Sequence, residues 1–562
     1  MVRSIERTKK TILFLVFFSI LGFVFSPIFF GIMSSILPSL GFFFEVSDKL
    51  TLDYYKEALQ LPGINKSIIL SIFVGFTSTI ISLILSQLIL SKIYFTNFFS
   101  VLSKLLYPLI AFPHITMAVG ISFLFSSSGY FVRLLSIFLE FDRPPNLDLF
   151  PDNYGLFLIL GLILKETPFF LLISIGFLSS TKVKEFFYLG KSKNFSNFIS
   201  WLFFVFPFIY KQLKIAVFIV LIFSATVIDM SIILAPTTPS TTSIRILQFF
   251  QQPELTSFSL AASLSIIQLV SILLIVLFWI IGEKITCNQN FLICLRYLLD
   301  RKNKYIENIL YIFSLFIFVL FVINICISFL WSITDIWKFP YLFPNEISIK
   351  NYFIFFKFNS DSFLNSLTIA TLGSFLSLVI LILWLELIDA LQLKYRFLNI
   401  IFYVPLLLPE LTILLGFNYF LLSNNFDNKF MNLLWIEILY IIPYTYIIFS
   451  NSYKNIDFRY ILIAKSLNKN YLTILFKIKL GLILNIIFLS FAIGFIVSIS
   501  LYTPVYFIGN GEISTLSLEI INLQASGDRK DLAVATILQM LIPLIVLIIF
   551  HLNSKVISKW NR

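Results

Sequence analysis

Residues 11 to 37 form an unbroken run without a charged side chain, and eleven more long apolar runs follow it along the chain. Each is long enough to cross roughly 30 Å of hydrocarbon. Inside lipid a backbone finds no water for its N–H and C=O groups, so such a run must satisfy them within itself, as a helix. The runs lie near 11–37, 68–90, 105–125, 156–178, 213–234 and 260–281, then near 308–331, 366–388, 398–422, 433–450, 480–501 and 533–551. Composition agrees, because 59% hydrophobic residues against 12% charged leaves too little polar surface for a water-soluble domain. The chain is expected to be an all-α polytopic membrane protein with about twelve transmembrane helices.

A polar link over 283–305, carrying Glu283, Lys284, Arg296, Asp300, Arg301, Lys302 and Lys304, separates the sixth run from the seventh. It divides the chain into two six-helix halves, 1–282 and 306–562. Arg3, Arg7, Lys9 and Lys10 precede a first run too long for a signal-peptide core, which reads as a retained helix. Alternating the helices from a cytoplasmic N-terminus puts the basic segments 182–193, 284–304 and 454–479 on the side of both termini, as the positive-inside rule requires. An even number of helices per half makes the halves parallel repeats, related by an axis along the membrane normal. Pro113-His114-Ile115-Thr116 with Gly120 has its counterpart in Pro409-Glu410-Leu411-Thr412 with Gly416, and Pro168 in Pro443.

The strongest sign of repetition is polar. Leu189-Gly190-Lys191-Ser192-Lys193-Asn194 is followed thirteen residues after its Asn by Pro207; Ile463-Ala464-Lys465-Ser466-Leu467-Asn468 is followed at the same spacing by Gly481. Each island resembles the cytoplasmic loop of binding-protein-dependent ABC importer permeases, whose pattern runs Glu-Ala-Ala…Gly…Ile-x-Leu-Pro. The family's Glu falls on Tyr188 and Leu462, its Gly on Asn194 and Asn468, and its final Pro survives as Pro207. Asn is the residue after Gly most able to hold the left-handed conformation that ends a helix. Asn65 and Asn365 open the second helix of each half, as in the family.

Ala235-Pro236-Thr237-Thr238-Pro239, and Gly509-Asn510 with Thr515-Leu516, are similar to segments of the double-length permeases of thiamine and ferric-iron importers. The resemblance implies a type I ABC importer permease fold with both permease halves fused and coupling loops at about 182–207 and 454–481. It implies two ABC ATPase subunits that carry the ATP and Mg, a periplasmic or lipid-anchored solute-binding protein, and a place in the bacterial inner membrane. Gly190, Lys191, Ser192, Asn194, Pro207, Ala464, Lys465, Ser466, Asn468 and Gly481 are then the ATPase-coupling residues, and the chain itself holds no cofactor.

Other chemistry finds little support. Gly190-Lys191-Ser192 resembles the end of a phosphate-binding loop, but the earlier Gly position is Glu185 and no βα unit surrounds it. With two histidines, and no His-Glu-x-x-His, Cys-x-x-Cys or Gly-x-Ser-x-Gly, most metal and triad chemistry is excluded. The net charge of +12 is scattered between apolar runs, whereas a nucleic-acid binder gathers its basic residues on one face. Cys287, Cys294 and Cys326 are too few and too poorly spaced for a zinc site.

His114, Lys165, Glu166, Asp229, Glu386, Glu410 and Glu437 remain as ionisable residues at membrane depth, where charge is costly and so faces a cavity, pairs, or lies near an interface. Glu386, near a helix end, is expected in cytoplasmic water. Lys165 and Asp229 form either a structural pair or part of a transport route. His114 and Glu410 hold equivalent places after Pro113 and Pro409, whose missing backbone bond breaks a helix beside a cavity. With Thr116, Thr412 and Asp229 they are the candidate substrate path; the alternative for His114 and Glu410 is helix-end packing. An ion-coupled secondary transporter of two parallel repeats would use Asp229, Glu410 and Glu437 as relays, and a membrane enzyme would need a catalytic cluster; the paired islands favour the importer.

Overall fold

The computed structural model describes residues 2–43, 50–145, 150–178, 182–193, 195–286, 303–393 and 401–560. The protein is an all-α membrane protein. Among the described residues ten helices are long and apolar enough to span a membrane, or eleven if the bent pair Tyr471–Leu482 and Leu484–Ser500 counts as one. The run expected near 398–422 accounts for much of the difference from twelve. It is represented by Val404–Leu407 and Glu410–Ser423, and 394–400 lie outside the described residues. Most of the predicted link also lies outside them, since Leu255–Thr286 extends into it and the next helix begins at Asn303.

Two prolines explain where helices stop. Phe98–Ala111 ends at Phe112, with ψ 127°, and His114–Phe125 begins after Pro113. Val404–Leu407 ends at Leu408, with ψ 147°, and Glu410–Ser423 begins after Pro409. A residue before proline is driven out of the helical region by the ring, and the proline has no N–H to continue the ladder. Pro168 and Pro443, by contrast, lie inside Leu156–Leu178 and Lys429–Lys454. A two-stranded ribbon, Thr334–Ile336 against Glu346–Ile347, was not anticipated by the apolar pattern.

The chain divides into two compact units that do not follow the repeat boundaries. One comprises 1–34, 359–519 and 538–562; the other comprises 35–358 and 520–537. The cut at 359 coincides with a break in the helix Lys350–Leu391, where Asn359 has non-helical angles. In the first unit the N-terminal helix packs on residues of the second half. Phe17 stacks on Trp384 at 4.6 Å, Phe30 stacks on Phe420 at 4.2 Å, and Trp435 Nε1 donates to the Phe23 carbonyl at 2.8 Å. Gly31 makes this approach possible, because a Cβ there would collide with the carbonyl of Ile413.

In the second unit the helix Asn303–Ser332 plays the same part for the first half. Asn324 Nδ2 donates to the Met117 carbonyl at 3.0 Å, and a Cβ on Gly120 would strike the Asn324 side chain. The helix Ile64–Ile93 buries Ser67, Ser71, Ser78, Ser82 and Ser86, and Gly75 lies against Ala225. Small residues let membrane helices approach closely where lipid tails are as apolar as any side chain.

Candidate functional site

The two islands share one local construction. The first is the helix Val183–Lys191, with Gly190 buried against Ser200, Lys191 Nζ donating to the Phe195 carbonyl at 3.1 Å, and Ser192 Oγ donating to the Leu189 carbonyl. Asn194 lies outside the described residues. The second is Phe458–Ser466, which contains Ala464, Lys465 and Ser466 and whose Ser466 Oγ donates to the Ile463 carbonyl at 2.8 Å. Asn468 has φ +52°, and the bonds Asn468 N–H to Lys465 O and Lys469 N–H to Ala464 O close the helix end. This is the Schellman arrangement, in which a left-handed residue turns the last amides back onto free carbonyls. The bond Phe195 N–H to Gly190 O holds the matching place in the first island.

Beyond each island the chain re-enters a helix, Asn197–Ser200 or Tyr471–Thr473, and then a π-helical turn, Trp201–Val205 or Ile474–Lys479. Pro207 stands just after the first turn and Gly481 just after the second. The second helix bends by 75° beyond Gly481. The recurrence of a rare wide turn, with proline behind one copy and glycine behind the other, marks a device of the repeat rather than of either residue.

A second device recurs at the helix breaks. In one unit the N-terminal end of His114–Phe125 packs with the short helix Asp229–Leu234; in the other Glu410–Ser423 packs with Thr503–Gly509. His114 Nε2 lies 3.1 Å from Glu166 Oε1, and its ring meets Phe223 at 4.6 Å. Lys165 Nζ donates to the Phe112 carbonyl freed by the break. Asp229 Oδ1 accepts from Met230 N–H at 2.8 Å and lies within Coulombic reach of His114. His114 thus lies beside Glu166, and Lys165 bonds the carbonyl that the proline break frees. In the other unit Thr503 Oγ1 donates to Glu410 Oε2 at 2.9 Å.

His114, Asp229 and Glu410 are half-buried, whereas Thr116 and Thr412 are fully enclosed and present no hydroxyl to an open path. Thr116 Oγ1 instead donates to the Pro113 carbonyl at 2.7 Å. Glu437, also buried, bonds Ser498 Oγ beside a small cavity lined by Ser366, Thr515 and Ser517.

Glu386 corrects the expectation of exposure to water. It is 7% exposed, and Lys479, 8% exposed, lies 2.7 Å from its Oε1. Tyr453 OH donates to the same oxygen, Tyr471 OH donates to Oε2 at 2.6 Å, and Lys479 Nζ also donates to Tyr453 OH at 3.0 Å. Nearness to a helix end was legible in the sequence. That residues 67 to 93 positions further on would close over the carboxylate was not.

A proline break, a polar island and a π turn behind the island each occur twice along the chain. Residues 391–554 match the family described as the binding-protein-dependent transport system inner membrane component. The chain is also 28% identical over 458 residues to the inner membrane ABC transporter permease protein YnjC of Escherichia coli strain K12, covering 80% of each. On these findings the chain is similar over most of its length to an ABC transporter permease and over residues 391–554 to the inner membrane component of binding-protein-dependent transport systems, and its long apolar helices make it a multi-pass membrane protein.

Proposed function

We propose that this permease works in import, passing a small solute from an external binding protein to the cytoplasm by alternating access. The observation that carries this reading is the twofold occurrence of the island, with the same helix closure and the same π turn behind it. Each island is then a coupling helix on the cytoplasmic side, with both termini, seated in one of two ABC ATPase subunits that hold the ATP and Mg. Closure of the ATPases pushes on the two islands and, through the stiff helices behind them, moves the breaks at Pro113 and Pro409. Free backbone groups at a broken helix can serve a solute only where they line a cavity, so the node of His114 with Asp229 and the node of Glu410 with Thr503 are each assigned, within their own units, a part in handling the solute. Similarity of the segments after Ala235 and Gly509 to thiamine and ferric-iron permeases makes those two solutes the first to try.

Purification from a strain that also expresses a candidate ABC ATPase tests the reading. Two ATPase copies per chain, with hydrolysis that rises when the chain is present, are expected. Accumulation of solute by the chain alone, driven by an ion gradient, would replace this proposal with a secondary transporter.

A further inference from the structure

The two coupling helices are held by different physics. On the first, Val183, Phe187 and Gly190 are buried, and Val183 and Phe187 join an apolar cluster with Ile93, Leu178, Trp201 and Val205. The polar support behind it includes Gln87, whose Oε1 accepts from Trp201 Nε1 and whose Nε2 donates to Ser174 Oγ, both at 3.0 Å. On the second, only Ala464 is buried, while Phe458, Leu462 and Ile463 are at least half exposed. Little of that helix packs on its own unit.

What flanks the second helix is charged. Tyr453 stands at the end of the helix leading into the island, Tyr471 stands at the start of the segment leading out, and both hydroxyls bond the Glu386 carboxylate. Lys479, at the end of the π turn, completes the set and also lies 3.6 Å from Asp389. A buried carboxylate needs several donors to offset its desolvation, and here both ends of the island supply them.

We propose that Glu386, Lys479, Tyr453 and Tyr471 form a clamp that positions the second coupling helix, so that force crosses the second half through an ion pair and the first half through apolar packing. These are positioning residues; the proposal rests on the coupling role argued above. Losing the clamp frees the second helix to move without its bundle, so ATP is hydrolysed with less transport.

The test uses spin labels at Ile463 and, in a separate protein, at Leu189, in the full chain in lipid nanodiscs with Cys287, Cys294 and Cys326 changed to Ser. Glu386→Gln and Lys479→Met are expected to mobilise the label at 463 and leave that at 189 unchanged. The exchange Glu386→Lys with Lys479→Glu is expected to restore order in part. With the ATPases bound, transport per ATP is expected to fall on the order of tenfold, within the range of typical coupling energies. Tyr471→Phe, which removes one donor, gives the same change on a smaller scale and serves where the charged variants do not fold. An unchanged label at 463 overturns the clamp. A mobilised label with unchanged transport per ATP overturns its part in coupling. The label experiment needs no ATPase, so the clamp is tested even where failure to bind one refutes the importer reading.

Discussion

A histidine starts the helix after Pro113, and a glutamate starts the helix after Pro409. Both sit on the same backbone device, a break that faces the end of a short second helix, yet the first is joined to the acidic Glu166 and the second to the neutral hydroxyl of Thr503. The two breaks thus share their backbone and differ in the residue that opens the helix behind them.

The largest expected effect breaks this comparison directly. Glu410→Ala is expected to lower uptake of a cationic solute roughly tenfold, the scale of one hydrogen bond to a charged group. His114→Ala is expected to lower it less, because its removal leaves Glu166 and Asp229 to attract the cation. Uptake in vesicles with equal amounts of assembled ATPase is the measurement; equal losses would mean the two nodes act alike.

Glycine substitutions compare the helix contacts inside each unit. Gly31→Val drives a side chain into the backbone of Ile413, which has little freedom to yield, while Gly120→Val meets the side chain of Asn324. Overpacking costs about 1–3 kcal/mol, and Gly31→Val is expected to be the more damaging, read as the lower midpoint in thermal unfolding in detergent.

Smaller again is the effect of reversing charge on the islands. Changing Lys191 and Lys465 together to Glu is expected to weaken ATPase association by about fivefold, and each alone by about twofold, as suits charges at or near the surface. Binding measured at two salt concentrations would show the difference shrinking at the higher one.

The smallest effect concerns pH and separates the two island helices. Asp457 caps the second, accepting from Arg459 N–H at 2.9 Å, whereas Lys182 gives the first no side-chain cap. The Arg459 guanidinium, and then its backbone N–H, hold the Asp457 carboxyl below the ordinary value of 3.8. A carboxyl depressed by folding adds stability above its unfolded pKa and loses it as pH falls through the folded one. Hydrogen exchange at the start of the second island helix is expected to quicken below about pH 4, with no matching step in the first. Asp457→Ala should abolish the step.

The sequence by itself determined the helices and their breaks. Long apolar runs have one way to satisfy a backbone in lipid, and the prolines at 113 and 409 carry their geometry with them wherever they stand. It also determined the islands, since basic residues between apolar runs have no place in hydrocarbon, and Asn468 takes the left-handed turn that its residue type favours. Tertiary structure alone decided which helix packs on which. Lipid-facing and partner-facing surfaces are both apolar, so nothing in residues 11 to 37 says that this helix joins the second half, or that Asn303–Ser332 joins the first. It decided the polar pairs for the same reason. Whether Lys165 turns to Asp229 or to a freed carbonyl, and whether Glu386 meets water or Lys479, depends on distances between residues far apart in the chain, and those exist only once the bundle has closed.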